Sequence, residues 1–146
     1  MKNIILLVFI ASFFYNCKKN IDYIDDKILL INTNKENINF KKYVSNHKIK
    51  LIYFYNYNTC ESCFLSQIPH LKKLTKKENF IIVTNLESQR ELLSFKNNFE
   101  FKNVFMSKED FFNKSFYLNV MKNEIVVPNT NIDNRDDINT FLKEFN

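Results

Sequence analysis

The chain alternates between short apolar runs and longer stretches in which apolar residues recur every three or four positions. Apolar runs at residues 28–31, 49–55 and 80–84 predict β-strands. The second and third runs are almost entirely apolar, β-branched or aromatic, which is typical of strands buried on both faces of a sheet. A shorter run at residues 104–106 predicts one more short strand.

Helices are predicted in the segments between these strands. Residues 34–45 begin with a candidate capping residue, Asn34, and residues 86–97 carry a weaker apolar pattern. Residues 60–77 have the clearest pattern, because their apolar side chains recur at helical spacing: Phe64, Ile68, Leu71 and Leu74. A single turn of helix is predicted at residues 108–113.

The pattern changes to a β-hairpin after residue 115. Strands at residues 116–121 and 124–127 are separated only by Lys122 and Asn123, and Asn tolerates the positive φ of such turns. A last helix follows the capping residue Asp133, with apolar residues on one face: Ile138, Phe141, Leu142 and Phe145. Strands thus alternate with helices before a terminal hairpin and helix, which predicts one α/β domain.

The N-terminal segment has the pattern of an export signal. Lys2 precedes twelve apolar or small residues at positions 4–15, a run of the length found in secretory signals and too short for a membrane helix. The alternative is a buried N-terminal helix or strand. We therefore expect a signal at residues 1–16, a polar tether at residues 17–27 and a domain at residues 28–146.

Cys17 stands directly after this apolar run. The arrangement resembles a bacterial lipoprotein signal, in which the cysteine becomes the lipidated first residue of the mature chain. Lipidation of Cys17 would tether the domain to a membrane without spanning it. Simple cleavage that leaves a free Cys17 is the alternative.

Composition excludes several classes of function. The 146 residues suit a single domain, and the net charge is +5. The sequence contains no glycine, which excludes the glycine-dependent phosphate cradles of P-loop and dinucleotide-binding folds. Arg90 and Arg135 are the only arginines, so a nucleic-acid partner is not expected.

The remaining two cysteines, Cys60 and Cys63, form a C-x-x-C motif at the start of the predicted helix 60–77. This spacing usually indicates redox or metal chemistry, and thiols outside the cytoplasm meet oxidants. Zinc needs four ligands, and the two histidines, His47 and His70, have no paired spacing, so no metal is expected. A structural disulfide, a metal half-site and an idle domain remain the alternatives to redox activity.

The sequence resembles the thioredoxin-like superfamily, and within it the membrane-tethered, exported thiol-disulfide oxidoreductases of bacteria. The resemblance lies in residues 49–74, where an apolar strand, a short loop, the C-x-x-C and a Pro-bearing helix follow in the family's order, and in the hairpin at residues 116–127. It implies an α/β thioredoxin-like fold with a central mixed sheet of four to five strands, flanked by helices on both faces. It also implies a location in the bacterial cell envelope, outside the cytoplasm.

The resemblance assigns roles to the two cysteines of a redox-active disulfide. Cys60 would be the exposed nucleophile, and Cys63 the partly buried thiol that resolves the mixed disulfide. The helix dipole favours the thiolate form of a sulfur at a helix N-terminus and so lowers its pKa. The negative charge of Glu61 works against a nearby thiolate, so we expect a less extreme pKa. No organic cofactor is implied, and the partners are a Cys-containing client and a second redox protein. The competing hypothesis is a non-catalytic lipoprotein that binds a partner and keeps the pair as a fixed disulfide.

Three positions depart from the family pattern. The cis-proline that usually precedes the fourth strand is replaced by Ser115 or Phe116, and Phe54 matches the position at which many members carry a buried acid. Pro69 lies six residues after Cys63, one more than the commonest spacing. These positions affect the surroundings of the two thiols rather than the thiols themselves.

Overall fold

The computed structural model describes residues 23–126 and Lys143. The described chain forms one seven-stranded mixed sheet and three helices. Within it, no helix is both long and apolar enough to cross a bilayer. The elements in chain order are β1 (Leu29–Ile31), β2 (Asn37–Asn39), α1 (Phe40–Asn46), β3 (Leu51–Tyr55), α2 (Glu61–Leu74), β4 (Phe80–Thr84), α3 (Gln89–Phe99), β5 (Val104–Ser107), β6 (Phe116–Asn119) and β7 (Glu124–Val126).

The strands lie in the order β2-β1-β5-β4-β3-β6-β7. The three central strands β5, β4 and β3 are parallel to one another, and all other neighbours pair in antiparallel fashion. Parallel strands need both faces covered, and β3 and β4 are buried along their whole length. The predicted mixed α/β sheet is therefore confirmed. α2 follows β3, one of its buried central strands.

Two hydrophobic cores cover the two faces of the sheet. On one face, α2 and α3 pack through Phe64, Leu71, Leu92 and Phe95. On the other face lie α1, through Phe40 and Val44, and the segment around Phe112. Helices on both faces were predicted, and this arrangement is confirmed.

The sheet has more strands than the four to five implied by the resemblance. One of the additional strands is β2. It forms in the first part of residues 34–45, where the sequence pattern predicts a helix. The Asn32 side chain accepts the N–H groups of Asn34 and Glu36 at 2.9 and 3.0 Å, so the chain turns back and pairs with β1. Asn39, not Asn34, caps the helix and accepts the N–H of Lys42 at 2.9 Å. The predicted start of this helix was wrong for that reason.

The other elements agree with the sequence pattern, with one further exception. No helix forms at residues 108–113, where the chain bends and buries Phe112 against the sheet. The hairpin β6–β7 is confirmed, but its turn spans residues 120–123 rather than Lys122 and Asn123 alone, because β6 ends at Asn119. Asn123 in this turn has a φ of 50°. Residues 1–22, with Cys17, and the predicted C-terminal helix lie outside the described residues, apart from Lys143. The proposed domain limits stay predictions.

Candidate redox site

The C-x-x-C motif lies at the N-terminus of α2, directly after the buried strand β3. Residues 56–59 form the connecting loop, and Cys60 is the N-cap residue of the helix. The Cys60 carbonyl accepts the N–H of Phe64 at 3.2 Å, which begins the helical hydrogen bonding. Cys60 is exposed, whereas Cys63 is half-buried, and both are free cysteines. The predicted position of the pair at the head of a helix is confirmed.

Aromatic packing fixes α2 against the sheet just behind the two cysteines. The Phe64 ring is buried and lies 4.3 Å from the Tyr55 ring and 5.5 Å from the Phe95 ring, measured between centroids. Leu71 and Leu74 are buried further along the same face, and the helix continues across Pro69. The helix therefore holds its first turn at a fixed distance from the end of β3.

The Cys60 sulfur lies among several hydrogen-bonding groups. The Ser62 hydroxyl lies 2.9 Å from it, and the Cys63 thiol and the backbone N–H groups of Cys63 and Ser62 stabilise its thiolate form. These N–H groups belong to the first turn of α2, which has no carbonyl partners for them within the helix. The hydrogen bond from Cys63, followed by the others, lowers the pKa of Cys60 from 9.0 to about 7.

Cys63 has the opposite shift. Its hydrogen bond to Cys60 raises the pKa of the Cys63 thiol, and burial adds to the increase. Near neutral pH, a large share of the exposed Cys60 is therefore thiolate, while Cys63 keeps its proton. Since the thiolate is the species that attacks a disulfide, the pair has one activated sulfur facing solvent and one protonated sulfur behind it.

A second group of polar side chains holds the loop before Cys60. Ser115, at the position where the resemblance expects a cis-proline, accepts the N–H of Asn56 at 3.0 Å and contacts the Thr59 hydroxyl at 2.9 Å. Asn56 is buried and also donates its side-chain amide to the carbonyl of Phe112 at 3.1 Å. The sequence analysis singled out Ser115 only as a missing proline, and nothing in the pattern indicated its hydrogen bonds.

Phe54, at the position where the resemblance expects a buried acid, is fully buried and has no polar group. Side chains alternate along a strand, and Phe54 packs on the α1 side of the sheet, 6.2 Å from the Phe40 ring. Tyr53 and Tyr55 face α2 instead, and burial raises the pKa of Tyr53. No Asp or Glu is buried anywhere in residues 23–123.

The histidines do not join the cysteines in a metal-binding cluster. His47 lies at the end of α1, where its ring stacks on Tyr43 at 3.9 Å. His70 belongs to α2, seven positions after Cys63. Within the described residues there is no group of three or more His, Cys, Asp or Glu side chains that could hold a metal ion.

Comparison with known proteins adds evidence about the fold. No protein-family model and no curated protein matches the sequence. A protein from Bacteroides vulgatus, proposed to be a thiol-disulfide oxidoreductase, is similar in structure with a TM-score of 0.50 and 13% identity. The likeness covers 83% of this chain and 88% of that one.

Two further structures have the same general shape. The exposed lipoprotein thioredoxin Etrx1 of Streptococcus pneumoniae strain TIGR4 matches at a TM-score of 0.46 and 14% identity, over 80% of this chain and 97% of that one. A proposed electron transfer protein of Aquifex aeolicus VF5 matches at a TM-score of 0.47 and 18% identity, over 80% of this chain and 89% of that one. Together with the sheet order and the cysteines at the head of α2, the similarity to the Bacteroides vulgatus protein shows the fold: the chain has a thioredoxin-like α/β fold.

Proposed function

We propose that this protein is a thiol-disulfide oxidoreductase that cycles Cys60 and Cys63 between the dithiol and the disulfide. The observation that carries the proposal is the asymmetry of the pair: Cys60 is exposed with a pKa lowered to about 7, and Cys63 is half-buried with a raised pKa. A pair that served only as a fixed disulfide would need neither exposure nor an activated thiol. The thioredoxin-like fold is compatible with this chemistry, although fold alone does not assign it.

The reaction on a client disulfide has two steps. The Cys60 thiolate attacks one sulfur of the client, so that a mixed disulfide forms and the second client sulfur leaves as a thiolate. Cys63 then loses its proton to water and attacks the Cys60 sulfur, which breaks the mixed disulfide and releases the first client sulfur as a thiolate. The client gains two electrons, and the protein is left with the Cys60–Cys63 disulfide.

Two protein partners are part of this proposal. The client supplies a cysteine pair, and a second redox protein returns Cys60 and Cys63 to their starting state. The reverse sequence of steps oxidises a client dithiol, and the direction depends on the reduction potential of the pair relative to its partners. A difference of about 30 mV corresponds to about 1.4 kcal/mol, so small changes around the two sulfurs decide the direction.

The test is to trap the mixed disulfide. In the Cys63→Ser variant the second step is blocked, so we expect a covalent adduct between Cys60 and a client peptide that carries a disulfide, visible by mass spectrometry of the intact protein. Cys60→Ser is the matched control and should form no adduct. Equal amounts of adduct in the two variants, or none in either, would favour the alternative of a non-catalytic binding protein with a structural disulfide.

We also propose that the domain is held at a membrane outside the bacterial cytoplasm by a lipid on Cys17. The support is the sequence itself, because Cys17 follows a short apolar run with a basic residue before it. The full chain, expressed in a bacterium, should appear in the membrane fraction with a mass increased by a lipid at Cys17. The Cys17→Ser variant should lose both properties, and an unlipidated wild-type protein in the soluble fraction would contradict the anchor.

A further inference from the structure

One hydroxyl group joins the start of β6 to the loop that carries Cys60. Ser115 lies immediately before β6, which is the strand next to β3, and its side chain is part-buried. The Asn56 N–H donates to Ser115 Oγ at 3.0 Å, and Thr59 Oγ1 lies 2.9 Å from the same oxygen. The contacts from Asn56 and Thr59 enclose the loop 56–59 at both of its ends.

The donors and acceptors of this group can be assigned. The Thr59 hydroxyl donates to the Asn56 carbonyl at 2.6 Å, so its single proton is used and it accepts from Ser115. Ser115 Oγ then donates to Thr59 and accepts from the Asn56 N–H. A serine hydroxyl has one proton to donate, and this arrangement directs it to Thr59. Alanine at position 115 would leave its partners unmatched.

The position of Cys60 depends on this group because Thr59 is the residue directly before it. On the other side of the loop, the Tyr57 N–H donates to Asn85 Oδ1 at 2.7 Å, which fixes the middle of the loop but not its last residue. The thiolate of Cys60 is stabilised by N–H groups of the first turn of α2, and such bonds weaken steeply when distance or angle changes. A small displacement of Thr59 would therefore change the hydrogen bonds at the sulfur.

We propose that the Ser115 hydroxyl is a positioning group for the redox pair, which fixes Thr59 and with it Cys60 at the head of α2. The inference rests on the proposed function and deepens it, since it identifies a residue outside the C-x-x-C motif that controls the reactivity of Cys60. Ser115 touches neither sulfur in the described contacts and acts only through the loop.

The experiment measures the rate at which Cys60 reacts with iodoacetamide as a function of pH, in the reduced wild-type protein and in three variants. Ser115→Ala removes the hydroxyl, Ser115→Thr keeps it, and Ser107→Ala removes a comparable hydroxyl that bonds to Glu109 at 3.0 and 3.1 Å. In Ser115→Ala we expect a rate at pH 6.5 lower by about fivefold, the order expected for one lost hydrogen bond, and a pH midpoint shifted upward. Ser115→Thr and Ser107→Ala should keep the wild-type midpoint.

A double-mutant cycle separates positioning from a general loss of stability. Thr59→Val removes the hydroxyl that Ser115 contacts, and its effect on the pH midpoint should not add to that of Ser115→Ala, because both changes break the same connection. Additive shifts would overturn the inference. So would a Ser115→Ala variant that unfolds at a lower temperature while its pH midpoint stays at the wild-type value.

The outcome also separates this inference from the proposed function. If Cys60 of the wild-type protein reacts no faster than a free cysteine at pH 6.5, the proposed function fails. If the wild-type thiol is activated and Ser115→Ala leaves its pH profile unchanged, the proposed function stands and only the role of Ser115 is refuted.

Discussion

The pH dependence of Cys60 provides the strongest test of the site, because the contacts at its sulfur give the direction of the pKa shift and its approximate size. The hydrogen bonds at the sulfur lower the pKa of Cys60 from 9.0 to about 7. At pH 6, a thiol with a pKa of about 7 is roughly 9% thiolate and one with a pKa of about 9 roughly 0.1%, a ratio of about 90. A lower pKa also weakens the nucleophile, by roughly eightfold for two pKa units at a Brønsted coefficient of about 0.45.

These two effects predict a reversal of relative rates with pH. At pH 6 the gain in thiolate exceeds the loss of nucleophilicity, and Cys60 should react with a small disulfide about tenfold faster than an unstructured thiol. At pH 9 Cys60 is almost fully ionised and the reference thiol about half ionised, so the weaker nucleophile is slower, and the ratio should fall to about 0.25. Stopped-flow measurement of the first thiol that leaves the small disulfide gives these rates. The reference thiol is Cys60 in a reduced peptide of residues 57–66 in which Cys63 is replaced by Ser. A constant ratio between pH 6 and pH 9 would refute the argument.

The same assay identifies the group that lowers the pKa. The largest contribution to the shift at Cys60 is the hydrogen bond from Cys63. Cys63→Ala removes this donor and leaves the N–H groups of the helix in place, so the midpoint of the rate profile should rise above pH 7 and stay below 9.0. The lowered pKa also makes the reduced protein more stable at high pH. This contribution is complete above the unfolded-state pKa and is lost as the pH falls through the folded-state value of about 7.

Three further substitutions test the hydrogen bonding at Cys60 and the stability of two helices. Ser62→Ala removes the hydroxyl 2.9 Å from the Cys60 sulfur, and we expect a higher pKa of Cys60 in the rate profile; an unchanged midpoint would mean that this hydroxyl does not stabilise the thiolate. Phe64→Ala should lower the free energy of unfolding in urea by about 3–5 kcal/mol because its ring is buried, whereas Leu65→Ala, on the exposed side of α2, should change it by less than about 1 kcal/mol. Asn39→Ala removes the cap of α1 and should cost about 1 kcal/mol in the same titration; no measurable change would contradict the capping role.

Elements with a one-sided or continuous apolar pattern could be predicted from the sequence. β4 has the predicted bounds, Phe80–Thr84, because a run of five apolar or β-branched residues is specific to a buried strand. α2 begins at Glu61, one residue after the predicted start, because Cys60 serves as its N-cap. The candidate site followed from these two elements, since the sheet and the helix alone bring the C-x-x-C to its exposed position.

Features that depend on individual side-chain contacts could not be predicted. β2 has only three residues and no apolar alternation, and it forms because the Asn32 side chain closes the turn before it. The residues of β3 are aromatic or aliphatic at every position, so no alternation indicates whether Tyr53 or Phe54 faces α2. The hydrogen bonds of Ser115 reach Asn56 and Thr59, which precede it by 59 and 56 positions in the chain. No local sequence pattern encodes contacts over such separations.

The hydrogen bond between the two sulfurs has a consequence for the order of the reaction. It is the largest cause of both shifts, lowering the pKa of Cys60 and raising that of Cys63. When Cys60 enters a mixed disulfide, it is no longer a thiolate, and the interaction that held the proton on Cys63 disappears. Burial still raises the pKa of Cys63, but the hydrogen bond to Cys60, which was the largest cause of the increase, has gone. Cys63 therefore becomes easier to deprotonate only after Cys60 has reacted. In the proposed reaction the two thiols would therefore be activated in sequence, and no buried carboxylate in residues 23–123 is needed to keep Cys63 inactive before the first step.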